Sequence, residues 1–115
     1  MAGSAHDTIT MFWATQDAGD YTALTELFDD DAVLEDPIFG TFTGKEAIGG
    51  FFAKMNVEMQ KVDVHFVVDE IQGGDESAWA RWTAKYGDGR EATGVGIYKV
   101  SGGKLTYYRD YMDKH

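Results

Sequence analysis

The stretch that decides the fold is LTYYRDYMD, residues 105–113. It is rich in aromatic and β-compatible residues and follows a glycine turn, so it predicts a strand whose side chains alternate between two faces. One face carries Thr106, Tyr108, Asp110 and Met112, and the other carries Tyr107, Arg109, Tyr111 and Asp113. If the first face is covered, Asp110 lies among apolar groups and its pKa is raised. If it is uncovered, Asp110 is a surface carboxylate on an edge strand, and the pattern leaves both possibilities open.

Three more strands precede this one. A period of two in apolar residues predicts them at 61–72, 76–86 and 90–100, with short glycine-containing turns between them. Strands that follow one another through short turns form an antiparallel meander.

The first half of the chain has a different period. Apolar residues three and four positions apart predict helices at 7–18, 21–28 and about 44–55, with Asp20 as the N-cap of the second. A short strand at 32–36 is closed by Pro37, and residues 40–43 are expected to form a loop. Helices followed by hairpin strands predict a single α+β domain over 1–115, in which a curved antiparallel sheet wraps around the N-terminal helices.

Composition narrows the possible functions. A net charge of −10 disfavours nucleic acid and anionic membranes as partners, because binding to them requires Lys and Arg. The chain has no cysteine, its histidines have no partner at metal-ligand spacing, and it has no dinucleotide or phosphate-loop motif. We therefore expect no metal and no cofactor. The N-terminus lacks a secretory pattern and no window approaches a membrane span, so a cytoplasmic protein is expected.

The order of elements carries a resemblance. Two helices, a short strand ending in Asp36-Pro37, a helix and a long meander resemble the cone-shaped, cystatin-like superfamily of nuclear transport factor two, which includes the SnoaL-like proteins. The first half is similar to ketosteroid isomerase through Gly19-Asp20, 30–32 and 33–37. This resemblance implies that Asp36 is a general base that carries a proton between two carbons. The positions of that family's two oxyanion donors fall on Phe12 and Gly96.

The second half is similar to limonene epoxide hydrolase. Residues 95–113 align with that family without a gap, and the matching residues are Gly96, Gly103-Lys104, 109–111 and Asp113. The resemblance implies that Asp110 activates water and that Arg81 bridges the carboxylates. The family's proton-donating Asp is replaced by Thr83, and its water-holding Tyr and Asn fall on Leu34 and Asp36.

Together, the resemblances imply one candidate site. Asp36, Arg81 and Asp110 are expected to converge in one cavity, where Asp36 could replace the acid lost at Thr83. The alternatives are that Asp36 only orders the Asp-Pro turn and that Arg81 is a structural ion-pair partner. The expected substrate-binding residues are Tyr108, Trp79, Thr83, Phe12, Phe52, Met55, Leu34 and Met112, whereas Trp13 and Phe51 are expected to be plain core.

These residues favour a cofactor-independent enzyme that acts on a small apolar molecule through Asp acid-base chemistry. Water addition to an epoxide is the leading hypothesis, and ketone isomerisation or polyketide cyclisation is the alternative. A non-catalytic ligand-binding module is a further alternative, since fold does not determine function. A homodimer is expected through the outer face of the sheet, where Trp82, Tyr86, Tyr107 and Tyr111 would otherwise leave an aromatic patch in water.

Overall fold

The computed structural model describes residues 5–112, so Asp113 of the last predicted strand lies outside the described residues. The elements in chain order are α1 (Ala5–Asp17), α2 (Tyr21–Glu26), β1 (Phe28–Asp36), β2 (Gly40–Thr43), α3 (Lys45–Met59), β3 (Val64–Gly73), β4 (Ser77–Tyr86), β5 (Glu91–Ser101) and β6 (Lys104–Met112). Helices are concentrated in the first half and long strands in the second, which confirms the predicted α+β class.

The six strands form one curved, unclosed sheet in the order β2-β1-β6-β5-β4-β3. The last four strands make the predicted antiparallel meander. The final strand, β6, also pairs in parallel with β1, and Glu35 lies opposite Arg109. This parallel pair brings the end of the first-half strand next to the end of the last strand.

The structure corrects three predicted boundaries. The first strand was predicted at 32–36 but begins at Phe28, so that Asp29, Asp30 and Asp31 lie inside β1, which hydrogen-bonds to a strand on each side. Residues 40–43 form β2 rather than a loop, because they pair with 33–36 of β1 across a tight hairpin. The third helix also runs beyond Met55 to Met59. In each case pairing or packing overrides a local preference.

The helices bury their apolar stripes against the sheet. In α1, Thr8, Ile9, Phe12 and Trp13 are buried at the spacing of one helix face. The second helix begins as predicted, since the Asp20 side chain accepts a hydrogen bond from the Ala23 N–H at 3.1 Å. None of the helices in the described part of the chain is long and apolar enough to cross a lipid bilayer.

The two faces of the sheet differ in burial. On β4, Ala78, Ala80, Trp82 and Ala84 are buried and face the helices. The alternating residues Trp79, Arg81 and Lys85 are exposed. We call the helix-covered side the inner face and the opposite side the outer face.

Two glycines of β5 shape the inner face. Gly94 and Gly96 lie two residues apart and are both buried. A Cβ atom at Gly94 would overlap the ring of Trp82, and one at Gly96 would overlap the hydroxyl of Tyr98. Because Gly94 and Gly96 have no side chain, the rings of Trp82 and Tyr98 can lie flat on the strand at these positions.

We expect Gly96→Ala to lower the free energy of unfolding by about 1–3 kcal/mol, because the added methyl group overlaps the buried Tyr98 hydroxyl. Gly50→Ala in α3 is the matched control, since no heavy atom lies within 4 Å of its Cβ position. The control should raise stability by up to about 1 kcal/mol through helix propensity. Urea denaturation measures both, and a Gly96→Ala protein as stable as the wild type would contradict this account of the inner face.

Candidate functional site

A cavity of about 400 Å³ lies between the inner face and the helices. Its wall is rich in aromatic residues, which include Phe12, Trp13, Phe51, Phe52, Phe66, Trp82 and Tyr108. The polar residues that line it are Gln16, Tyr21, Glu35, Asp36, Glu58, Tyr86 and Asp110. Glu35 directs its carboxylate to Tyr107 and Arg109 on the outer face. The cavity is therefore an apolar chamber with a few polar groups, a form typical of small-molecule sites.

Asp110 is a partly buried carboxyl group in this wall. It lies opposite Gly96 on the neighbouring strand, and its Oδ1 accepts a hydrogen bond from the Trp82 Nε1–H at 2.8 Å. Burial raises the pKa of Asp110 to about 7, and the negative charge of Asp36 acts in the same direction. The Trp82 N–H and the Tyr111 backbone N–H offset part of this rise in pKa. Near neutral pH, Asp110 can therefore either donate or accept a proton.

Asp36 lines the same cavity from the end of β1. Its Oδ1 accepts hydrogen bonds from the backbone N–H groups of Ile38 at 2.8 Å and Phe39 at 3.0 Å. These two hydrogen bonds show that Asp36 orders the Asp-Pro turn. Glu35 lies opposite Arg109 in the parallel pair of β1 and β6. The next residue of each strand, Asp36 and Asp110, therefore lies beside the other. The turn holds one carboxylate oxygen of Asp36, and both carboxyl groups border one cavity.

Two buried tyrosines support the wall beside Asp110. The Tyr98 hydroxyl accepts a hydrogen bond from the Trp13 Nε1–H at 2.7 Å, and the side chains of Tyr98 and Tyr108 are hydrogen-bonded to each other. Burial raises the pKa of both tyrosines well above the ordinary value. Both hydroxyls are therefore neutral at physiological pH, and they already have partners within the protein.

Arg81 does not join the carboxylates. It lies on the outer face, where its Nη2 is 3.7 Å from the Glu70 Oε1, and it does not line the cavity. Trp79 is on the same outer face and is 38% exposed, while Thr83 donates a hydrogen bond to Asp69 Oδ2 at 2.7 Å. The predicted cluster of two carboxylates and a guanidinium is therefore wrong. The reason is the alternation of β4, which turns Trp82 inward and its neighbours outward.

Comparisons with known proteins agree with this architecture. A model of the SnoaL-like domain matches residues 9–108. The chain belongs to the SnoaL-like domain family. A comparison with curated proteins gives no match.

Solved structures resemble this SnoaL-like domain over almost its whole length. An NTF2-like protein of unknown function from Burkholderia xenovorans is 25% identical, with a TM-score of 0.77, and the match covers 95% of this chain and 82% of that one. A protein from Catenulispora acidiphila with a ketosteroid isomerase-like fold, solved with trimethylamine, is 19% identical, with a TM-score of 0.78 and coverage of 94% and 86%. An LEH-like epoxide hydrolase from Mycobacterium tuberculosis is 20% identical, with a TM-score of 0.77 and coverage of 95% and 82%. The last two likenesses describe the fold alone.

Most predicted lining residues of this SnoaL-like domain border the cavity. Those that do are Tyr108, Phe12, Phe52, Met55, Leu34 and Met112. Sequence reasoning missed Trp82, which was placed on the outer face, and treated Trp13 and Phe51 as plain core although they also line the cavity. A signal was present in β4: the charged Arg81 and Lys85 share the phase of Trp79, which favours Trp82 as the inward tryptophan.

The described residues of this domain contain no group of three His, Asp or Glu side chains placed to hold a metal ion. The chemistry that the cavity can supply from its own residues is proton transfer by Asp36 and Asp110. The apolar wall partly buries Asp110, which is the condition under which a carboxyl group can act as an acid near neutral pH.

We expect Asp110 to make stability depend on pH. Its folded-state pKa of about 7 lies above the ordinary value, so its contribution to stability is full at low pH and is lost as pH rises through 7. From pH 4 to pH 8 the wild type should lose stability relative to Asp110→Asn by an amount on the order of 3 kcal/mol. Chemical denaturation at several pH values measures this difference. Asp31→Asn, an exposed control on β1, should keep the wild-type pH dependence, and a parallel Asp110→Asn curve would contradict the assignment.

Proposed function

We propose that this SnoaL-like domain is an enzyme that transfers a proton within a small apolar carbonyl compound, with Asp36 as the base and protonated Asp110 as the acid. The observation that carries the proposal is a carboxyl group with a pKa of about 7 in the wall of an apolar cavity. An ordinary carboxyl group is ionised at that pH and cannot donate a proton. Asp110 can do so, and Asp36 lies on the neighbouring strand.

The roles follow from the two environments. Asp36 removes a proton from the carbon next to the carbonyl group, and the C–H electrons form an enolate whose oxygen accepts a hydrogen bond from Asp110. Asp36 then returns the proton to a more distant carbon, and the double bond moves without net change in atoms or electrons. The turn holds Asp36 Oδ1 through two N–H groups, so the side chain is already oriented before substrate binds. No cofactor is needed for these steps.

Water addition to an epoxide is the competing function, and the geometry supports it less. That reaction requires a base for the water and an acid for the departing oxygen, and the resemblance assigned Arg81 between them. Arg81 and Thr83 lie away from the cavity. Asp110 would then have to be the base and Asp36 the acid. An epoxide hydrolase therefore requires ionised Asp110, whereas the proposed isomerase requires protonated Asp110. The direction in which the rate changes with pH separates the two functions.

We expect kcat/KM for isomerisation of 3-cyclohexenone to fall as pH rises through about 7, since Asp110 must be protonated. Asp36→Asn should reduce the rate at least about a hundredfold. Asp110→Asn should lower the rate less and remove the loss above pH 7, because an amide still donates a hydrogen bond but does not titrate. Absorbance of the conjugated ketone measures the rate, and Asp31→Asn is the exposed control.

Other outcomes would point to other functions. Hydration of cyclohexene oxide that is lost as pH falls through 7, and is abolished in Asp110→Asn, would favour the epoxide hydrolase. If the protein cyclises a polyketide-like diketone but does not convert enones or epoxides, the result would favour a cyclase. Tight ligand binding with no turnover, unaffected by either Asn substitution, would favour a non-catalytic binding module.

We further propose a homodimer through the outer face. The exposed apolar residues of this face include Val67, Trp79, Ile97 and Tyr111. Two members of the predicted aromatic patch, Trp82 and Tyr86, instead line the cavity, so the patch consists of different residues from those expected. Tyr107 and Tyr111 are on the outer face as predicted. A cytoplasmic location remains a prediction.

Light scattering should give twice the protomer mass of 12.7 kDa for the wild type at micromolar concentration. Ile97→Lys should shift the protein to a monomer, because it places a charge directly beside the exposed Trp79 on the outer face. Met11→Lys is the matched control, since Met11 is 57% exposed on α1 and should leave the mass unchanged. A monomeric wild type would refute the proposed dimer.

A further inference from the structure

The hydroxyl group of Tyr21 has no hydrogen-bond partner among the described residues. Tyr21, the first residue of α2, is 6% exposed and lines the cavity. Within residues 5–112 its hydroxyl makes no hydrogen bond, and its ring packs against Phe52 at 6.1 Å. The hydroxyls of Tyr98 and Tyr108, by contrast, are bonded to each other. Buried hydroxyls normally have partners, so an exception of this kind requires an explanation.

The Tyr21 hydroxyl is not fully enclosed by protein atoms. In the described part of the chain, no fully enclosed side-chain oxygen or nitrogen lacks a hydrogen-bond partner. The unpaired hydroxyl of Tyr21 therefore borders open space, and Tyr21 is one of the residues that line the cavity. Burial raises the pKa of Tyr21, so the hydroxyl keeps its proton and is a hydrogen-bond donor.

Tyr21 and Asp110 lie at different parts of the cavity. The charge of Asp110 contributes to the raised pKa values of Tyr98 and Tyr108, whereas the raised pKa of Tyr21 is caused by burial. Ring contacts connect Tyr21 to Tyr108 through Phe52, Phe28 and Phe12, and of these three rings Phe52 and Phe12 line the cavity. A ligand that contacts both groups has to extend along this apolar wall.

We propose that Tyr21 is a ligand-binding residue whose hydroxyl donates a hydrogen bond to an oxygen of the substrate at the end remote from the reacting carbonyl group. The substrate is then an elongated apolar ketone with a second oxygen, such as an ether or carbonyl oxygen, at its far end. The inference rests on the proposed function for the reacting end, but the Tyr21 contact is a binding contact that does not depend on turnover. A site built to bond an oxygen rejects a ligand that lacks it, because the site's own polar group is then left unpaired.

The test uses two ketones that differ in one oxygen, 4-phenylcyclohexanone and 4-(4-methoxyphenyl)cyclohexanone. Isothermal titration calorimetry at pH 6 should show the methoxy compound binding about threefold to tenfold more tightly to the wild type. Tyr21→Phe should bind both ketones equally. Tyr111→Phe, which removes an exposed hydroxyl on the outer face, should retain the wild-type preference.

The proposal is overturned if the preference is equal in the wild type and Tyr21→Phe, if the wild type shows no preference, or if neither ketone binds. Repeating the titration in Asp110→Asn separates this inference from the proposed function. A preference that depends on Tyr21 and persists in Asp110→Asn supports the contact even if no isomerisation is found. Thermal denaturation of Tyr21→Phe tests the alternative that Tyr21 has a structural role. Loss of an unpaired hydroxyl should not lower the midpoint temperature of unfolding.

Discussion

The hydrogen bond from the Trp82 indole to Asp110 is the contact on which the candidate site depends. It requires Trp82 to lie across β5, and it can do so because Gly94 has no side chain there. The bond orients a partly buried carboxyl group that also accepts a hydrogen bond from the Tyr111 backbone N–H, and these donors offset only part of the rise in pKa. The same arrangement therefore positions Asp110 and keeps it able to hold a proton near neutral pH.

The parallel pairing of β1 with β6 supplies the second carboxyl group. These strands come from opposite ends of the chain, and their register brings Asp36 beside Asp110. The hairpin between β1 and β2 then holds Asp36 through the backbone N–H groups of Ile38 and Phe39. Asp36 and Asp110 each accept hydrogen bonds from donors of their own, so neither carboxyl group is left without a partner. A pair of carboxyl groups in unequal environments is the arrangement that acid-base catalysis requires.

The sheet separates two kinds of surface. Its inner face has small residues and glycines beneath large aromatic rings, which leaves a cavity instead of a filled core. Its outer face combines ion pairs such as Arg81 with Glu70 and exposed apolar residues such as Trp79 and Ile97. The two faces can therefore be changed independently by substitution, since alternate residues of one strand belong to different faces.

The amino-acid pattern was sufficient to predict the α+β class, the meander and the Asp20 cap, and it grouped Tyr108, Asp110 and Met112 on one strand face without deciding whether that face is covered. These follow from local periodicity and capping, which depend on neighbouring residues in the chain. The strand identity of 29–31 and 40–43 was decided only by the folded structure. Both faces of β4 carry a tryptophan, and the charged Arg81 and Lys85 on the Trp79 face are the sequence signal that favours the Trp82 face as the covered one. The separation of Arg81 from Asp110 and the unpaired hydroxyl of Tyr21 likewise result from contacts between distant elements, which no local pattern records.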